Sequence, residues 1–223
     1  MDTVLILLPP EANHHDAEQS FMAAGWTRCG VGDWAVALRS PEGATAVRIS
    51  PFDPVGPYTA RLYREAAHTL QVPRLFAHRR LEGGGDLQLL EWLEPVGKAD
   101  AIAFHRSIAH REPAVAELVD IVRRVHEQAR RELPWCGPLD DNPSNVMRGT
   151  DGRLVVADLF YADGPDLYAA AGNDPDTVVL RIPEAERRYM TEIPLAASGP
   201  WDAESRAAMR AGLAAADGRN NLA

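Results

Sequence analysis

Three side chains between Leu139 and Phe160 carry the oxygen atoms that a divalent cation and a reacting hydroxyl would need. Asp140 and Asn145 stand in Leu139-Asp140-Asp141-Asn142-Pro143-Ser144-Asn145-Val146-Met147, and Asp158 follows in Val155-Val156-Ala157-Asp158-Leu159-Phe160. Magnesium prefers hard oxygen ligands and keeps several of its waters. Asp158 offers a carboxylate and Asn145 an amide oxygen. Two β-like runs, 146–148 and 154–157, flank Gly149-Thr150-Asp151-Gly152, and the hairpin they predict brings those two groups together. Asp140, across a proline-containing loop from Asn145, reaches toward an acceptor hydroxyl. Without Asp158 at this spacing the first loop would be an ordinary acidic turn, because Asp, Asn, Pro and Ser all favour turns.

These two stretches resemble the catalytic and metal-binding loops of the protein-kinase-like superfamily, especially its aminoglycoside phosphotransferase-like branch. Those families carry Asp-x-x-x-x-Asn and then a hairpin ending in Asp-Phe-Gly or a relative. The resemblance implies that Asp140 orients the attacking hydroxyl, while Asn145 and Asp158 hold the Mg of an ATP complex. It runs from Gly30 to Asp166. Gly30-Val31-Gly32-Asp33-Trp34 looks like a glycine-rich loop without its third glycine. Arg48 stands where such enzymes carry a phosphate-gripping lysine, and Glu65 stands where that lysine has its carboxylate partner. Arginine can contact phosphate and pair bidentately with a carboxylate, but its fork does not reproduce an ammonium. Leu89-Leu90-Glu91-Trp92-Leu93 resembles the hinge between lobes. Backbone groups of Glu91 to Leu93 then receive an adenine edge, with Leu38, Ala46 and Leu90 among the apolar walls. The departures are Pro138 two residues before Asp140, Asn142 in place of a lysine or histidine, Leu159-Phe160-Tyr161 after Asp158, and no Ala-Pro-Glu element.

The elements that must position these groups follow from periodicity and punctuation. A strand is expected at 4–8, and a helix at 16–24 that Gly25 ends. One hairpin pairs 33–39 with 44–50 about Pro41-Glu42-Gly43, and a helix at 59–70 aligns Leu62, Ala66 and Leu70. A second hairpin pairs 74–80 with 87–93 across Glu82-Gly83-Gly84-Gly85-Asp86, where positive φ is needed. Thereafter the pattern is helical, at 101–110, 113–133, 166–171, 183–189 and 202–216. The helix at 113–133 carries a stripe of Val115, Leu118, Val119, Val122, Val125 and Ala129. The expected fold is therefore α+β and two-lobed, as in protein kinases. Residues 1–94 form a β-rich N-lobe with one helix on the nucleotide phosphate side, and 95–223 a compact, mostly helical C-lobe with the catalytic and metal-binding loops.

Composition narrows the partners. The 223 residues are 46% hydrophobic and 25% charged, with a net charge of −9. That balance argues against a nucleic-acid binder, which would show a basic face. The apolar run at 4–8 is too short to cross a membrane and lacks a signal peptide's basic flank, so the cytoplasm is the expected compartment. Cys29 and Cys136 are not expected to pair. His14 and His15 are neighbours whose side chains are expected to diverge, and His105 and His110 lie off a common helical face, so no zinc site is expected. Residues 163–204 hold nine acidic residues against three arginines, a balance that would attract a cationic acceptor such as an aminosugar. The reading is transfer of the γ-phosphate of ATP to a hydroxyl of a small molecule with Mg. The alternatives are a pseudokinase that binds nucleotide or a protein partner without catalysis, and a kinase acting on a macromolecule. The oligomeric state is open.

Overall fold

The structure, a computed structural model, describes residues 8–220; of the strand expected at 4–8, all but Leu8 lies outside them. The N-terminal part is a five-stranded antiparallel sheet with one helix on each face. Helix α1 (His14–Ala23) opens on a capping box: the Asn13 side chain accepts from the backbone of His15 and Asp16, and Asp16 accepts from Asn13 N. Strands β1 (Thr27–Val31), β2 (Val36–Arg39) and β3 (Thr45–Ser50) form a meander. Helix α2 (Gly56–Glu65) follows, and β4 (Leu75–Arg80) and β5 (Asp86–Glu91) complete the order β1-β2-β3-β5-β4.

The two faces of this sheet differ as alternation demands. Leu38, Val47, Ile49, Leu87 and Leu89 pack under α1 against Ala17, Phe21 and Trp26. Arg48, Ser50, Asp86 and Gln88 point the other way, toward α2 and the second part of the chain. Leu38 is therefore fully buried on the α1 side rather than a wall of the cleft.

At Trp92 the chain changes sheet. β6 (Leu93–Pro95) pairs not with β5's neighbours but with β7 (Val146–Gly149), which pairs in turn with β8 (Leu154–Val156). The remainder is helical: α3 (Lys98–Ala109), α4 (Ala116–Glu132), α5 (Gly164–Asn173), α6 (Pro175–Arg181) and α7 (Ala203–Asn220). An antiparallel sheet followed by a helical part that carries a short strand pair is the α+β architecture that the kinase-like resemblance implies. A core of Leu62, Tyr63 and Ala66 with Leu118, Val122, Val125, Val146 and Val156 joins α2 to α4 and the β7–β8 hairpin. Another gathers Phe52 with Leu167, Val178, Met190 and Leu213. Among the described residues no helix is long and apolar enough to cross a membrane.

Two helical expectations shift, and one helix was not expected. α2 begins at Gly56, with Pro57 in its first turn, and ends at Glu65; Leu70 closes the following turn at φ 61°. The helix expected at 183–189 is a single turn at Glu184–Glu186, and the unforeseen helix is α6, which starts on Pro175. The reason is a clasp between the parts. Gly83 and Gly84 have φ of 78° and 89°, and an added Cβ would lie 2.2 Å from the Tyr189 ring and 1.9 Å from the Glu186 carbonyl oxygen. Arg80 pairs with Glu186 at 2.5 Å, and Arg188 pairs with Glu82. Docking against a glycine turn keeps the 184–189 segment irregular.

Candidate active site

Two stretches of backbone run side by side and carry the site. Cys136 bridges Ala162, Gly137 N donates to Tyr161 O at 3.0 Å, and Asp140 N donates to Leu159 O at 3.0 Å. Farther along, Ala157 N donates to Asn145 O at 2.8 Å. His126 of α4 donates to Gly137 O at 2.8 Å and stacks on Phe160, fixing both strands of this zipper to the long helix. The result brings Asp140, Asn145 and Asp158 together. Asn145 Nδ2 donates to Asp140 Oδ2 at 2.9 Å and to the Asp158 carbonyl at 3.3 Å. That orientation commits the amide nitrogen and leaves Oδ1 as the atom available to a cation.

Asp158 sits at φ 44°, a left-handed conformation that costs energy for a non-glycine residue and is best tolerated by Asp and Asn. Leu159 and Phe160 are buried directly after it, and Asp158 N donates to the Tyr63 hydroxyl at 3.1 Å. Core packing on one side and α2 on the other hold the carboxylate out toward solvent. The Leu159-Phe160 pair after Asp158 thus serves as a packed anchor.

Arg48 reaches this carboxylate: its Nε lies 3.8 Å from Asp158 Oδ1. Its partner differs from the one expected. Glu65, at the C-terminal end of α2, pairs with Arg61 at 2.5 Å and with Arg124 of α4 at 2.6 Å, on the helix face turned from Arg48. Asp53 takes the part instead, accepting Arg48 Nη1 at 2.9 Å through Oδ2 and the N–H groups of Val55 and Gly56 through Oδ1. The Pro-Phe-Asp-Pro break therefore supplies both the start of α2 and the counter-charge of the basic residue. Asp86, buried behind, accepts from His78, Gln88 and Arg80.

The other expected site residues are less free. Glu91 is buried, and its side chain accepts from Arg74 N and pairs with Arg153, tying β5 to the β7–β8 turn. Glu91 N donates to Arg74 O and Trp92 N to Ala44 O, so these two N–H groups are already bonded within the protein, while Leu93 pairs with Gly149. Gly30, opposite Ala37 beside a bulge, and Gly32, whose N–H closes a tight turn onto Ala35 O, are exposed in the β1–β2 hairpin.

The tip of that hairpin is fastened to the C-terminal part. Asp33 accepts from Ala197 N at 2.6 Å, Ser198 N at 3.1 Å and the Ser198 hydroxyl at 2.6 Å, and its carbonyl accepts from Leu195 N. Trp34 packs between Phe52 and Tyr168. Beside them Trp34, Tyr161, Tyr168 and Trp201 line a cavity of about 470 Å³ with Asp33 at its edge. Sequence reasoning missed this latch, because its two halves are separated by most of the chain. Burial works to raise the Asp33 carboxyl, but the Ser198 and Ala197 bonds outweigh it and hold it below the ordinary range. The tether is therefore complete above the usual value of about 4 and lost as pH falls through the lower folded-state value. Asp33→Ala is expected to speed amide exchange across 30–36 and 195–199 at neutral pH. Wild type should approach that behaviour only in acid, and equal protection of both proteins at neutral pH would remove the tether's role.

No family model matches the chain, and no curated protein matches it. Solved structures similar to it include the PknI kinase domain of Mycobacterium tuberculosis, at 14% identity and a TM-score of 0.31 over 85% of this chain and 96% of that one. The macrolide 2′-phosphotransferase of Brachybacterium faecium is 13% identical, with a TM-score of 0.35 over 86% and 82% of the two chains. An apo pseudokinase is 13% identical, with a TM-score of 0.33 over 87% and 84%. Likenesses this loose carry no argument about chemistry, which rests on the residues themselves.

Proposed function

We propose that the chain transfers the γ-phosphate of Mg-ATP to a hydroxyl of a small molecule. The observation that carries this is the Asn145 amide, bonded at once to Asp140 and to the Asp158 backbone. It joins a candidate base to a candidate cation site. The donor set fits magnesium, since Asn145 Oδ1 and the exposed Asp158 carboxylate are hard oxygens that leave room for water. Asn145 and Asp158 would hold the ion, which when bound neutralises phosphate charge. Asp140 accepts the hydroxyl proton as the new O–P bond forms and the bond from phosphorus to the ADP oxygen breaks. Arg48, balanced by Asp53, faces the phosphates. The aromatic cavity beside Asp33 suits a cationic acceptor, because aromatic faces attract cations.

A second reading, nucleotide or partner binding without transfer, is favoured by the Asp33 tether, which fastens the β1–β2 turn to Ala197 and Ser198. Mg-ATP is expected to raise the melting temperature of the full chain and to yield phosphorylated product with an aminosugar acceptor. Stabilisation without turnover on any small-molecule hydroxyl would favour the second reading. Neither stabilisation nor turnover would defeat both.

A further inference from the structure

At the far side of the sheet from the zipped loops, the adjacent histidines do not diverge. Their rings lie 3.9 Å apart, centroid to centroid. His14 Nε2 is 3.4 Å and His15 Nε2 is 3.1 Å from the same oxygen, Glu192 Oε2. All three donor atoms fall within 4.8 Å of one another. Ligands about 2.0–2.1 Å from a tetrahedral zinc ion lie about 3.4 Å apart, so the two histidine-to-Glu192 separations are close to a tetrahedron's edges.

Each ligand is positioned by backbone that other contacts fix. The Asn13 capping box sets the first turn of α1, and Glu82 N donates to Ala12 O, tying the helix entry to the glycine turn. Glu192 ends a turn whose Met190 and Thr191 are buried and whose Glu192 N donates to Tyr189 O. The Tyr189 ring lies edge-on to His14 at 4.9 Å. His14 is only 5% exposed, and its Nδ1 has no partner among the described residues. The nitrogen that faces Glu192 and His15 is Nε2, so the buried imidazole turns its other ring edge toward the carboxylate and the neighbouring histidine. Among the described residues no arginine pairs with Glu192, although Arg206 and Arg210 line an open cavity of about 410 Å³ beside it.

The geometry points to a transition-metal site at His14, His15 and Glu192, taking a borderline cation such as zinc. Two imidazole nitrogens and one carboxylate oxygen are the donors such ions accept, whereas magnesium selects oxygen-only sets. A fourth position faces the solvent side, where His15 and Glu192 are exposed. An ion there would bridge α1 to the 190–192 turn and reinforce the clasp formed by Gly83, Gly84 and Tyr189.

The test is a zinc titration of the untagged, chelator-treated full chain, followed by calorimetry and thermal melting. One zinc per chain is expected, together with a rise in melting temperature, since zinc would bind only where the two elements are docked. His15→Ala and Glu192→Gln are both at exposed positions and should melt as wild type does without metal. Each should weaken zinc binding by more than about 100-fold, beyond the loss typical of a supporting group. Asp158→Asn, in the other candidate cation site, should leave zinc binding unchanged. Millimolar magnesium should not displace the zinc. No binding, or binding unchanged in both the His15 and Glu192 variants, would overturn the assignment.

Discussion

Asp158→Ala is expected to cut Mg-ATP turnover by about 10³-fold, because a lost cation ligand removes several kcal/mol of charge stabilisation at about 1.4 kcal/mol per tenfold. Alanine tolerates φ 44° poorly, so this variant also strains the loop. Asp158→Asn separates the two effects. It keeps a side chain that accepts left-handed backbone and removes only the charge, so it should be as inactive as the alanine variant while melting like wild type. Leu159, Phe160 and the Tyr63 hydroxyl hold the backbone in either case. Full turnover by Asp158→Asn in a Mg-dependent assay would end the catalytic reading.

That loop pair was legible in the sequence because its geometry is local. Asn145 and Asp158 bracket a hairpin turned by Gly149 and Gly152, and Asp140 shares a loop with Asn145, so short connections keep the three near one another and the backbone pairing of 136–140 with 159–162 completes the approach. The partner of Arg48 was not legible. The resemblance assigned it to Glu65, but α2 starts at Gly56 and ends on Glu65, placing that carboxylate beside Arg61 and Arg124. The charge that reaches Arg48 comes from Asp53, a residue that reads from sequence only as part of a proline break. The histidines show a similar failure. Neighbouring helical residues point apart by rule, yet at the first turn of α1 both imidazoles bend toward one carboxylate 177 residues away. No periodicity encodes such a contact. The glycine turn was half legible: positive φ could be foreseen at Gly83 and Gly84, but not that bare backbone there receives Tyr189 and Glu186.

The largest stability effect is expected behind Arg48, at Asp86. This carboxylate is fully buried and accepts from His78 Nε2 at 2.7 Å, Gln88 Nε2 at 2.9 Å and Arg80 Nη1 at 3.4 Å. It also presses on the start of α2, where an added Cβ on Gly56 would lie 2.4 Å from its Cγ. The alternation Asp86-Leu87-Gln88-Leu89 puts these polar groups on one face of β5, so the sheet buries charge between itself and α2. Asp86→Ala leaves Arg48 and Arg80, whose side chains are 19% and 28% exposed, facing one buried counter-ion fewer. Breaking a buried pair in this way costs about 3–5 kcal/mol, and a chain of this size should lose about 10 °C in melting temperature. Asp86→Asn keeps the shape and some acceptors, so a smaller loss there would assign the remainder to charge. Because Arg48 bridges this network and Asp158, Asp86→Ala should also weaken Mg-ATP binding at temperatures where the variant remains folded. A loss below about 1 kcal/mol would mean that the buried charges stabilise the fold no more than a surface pair does.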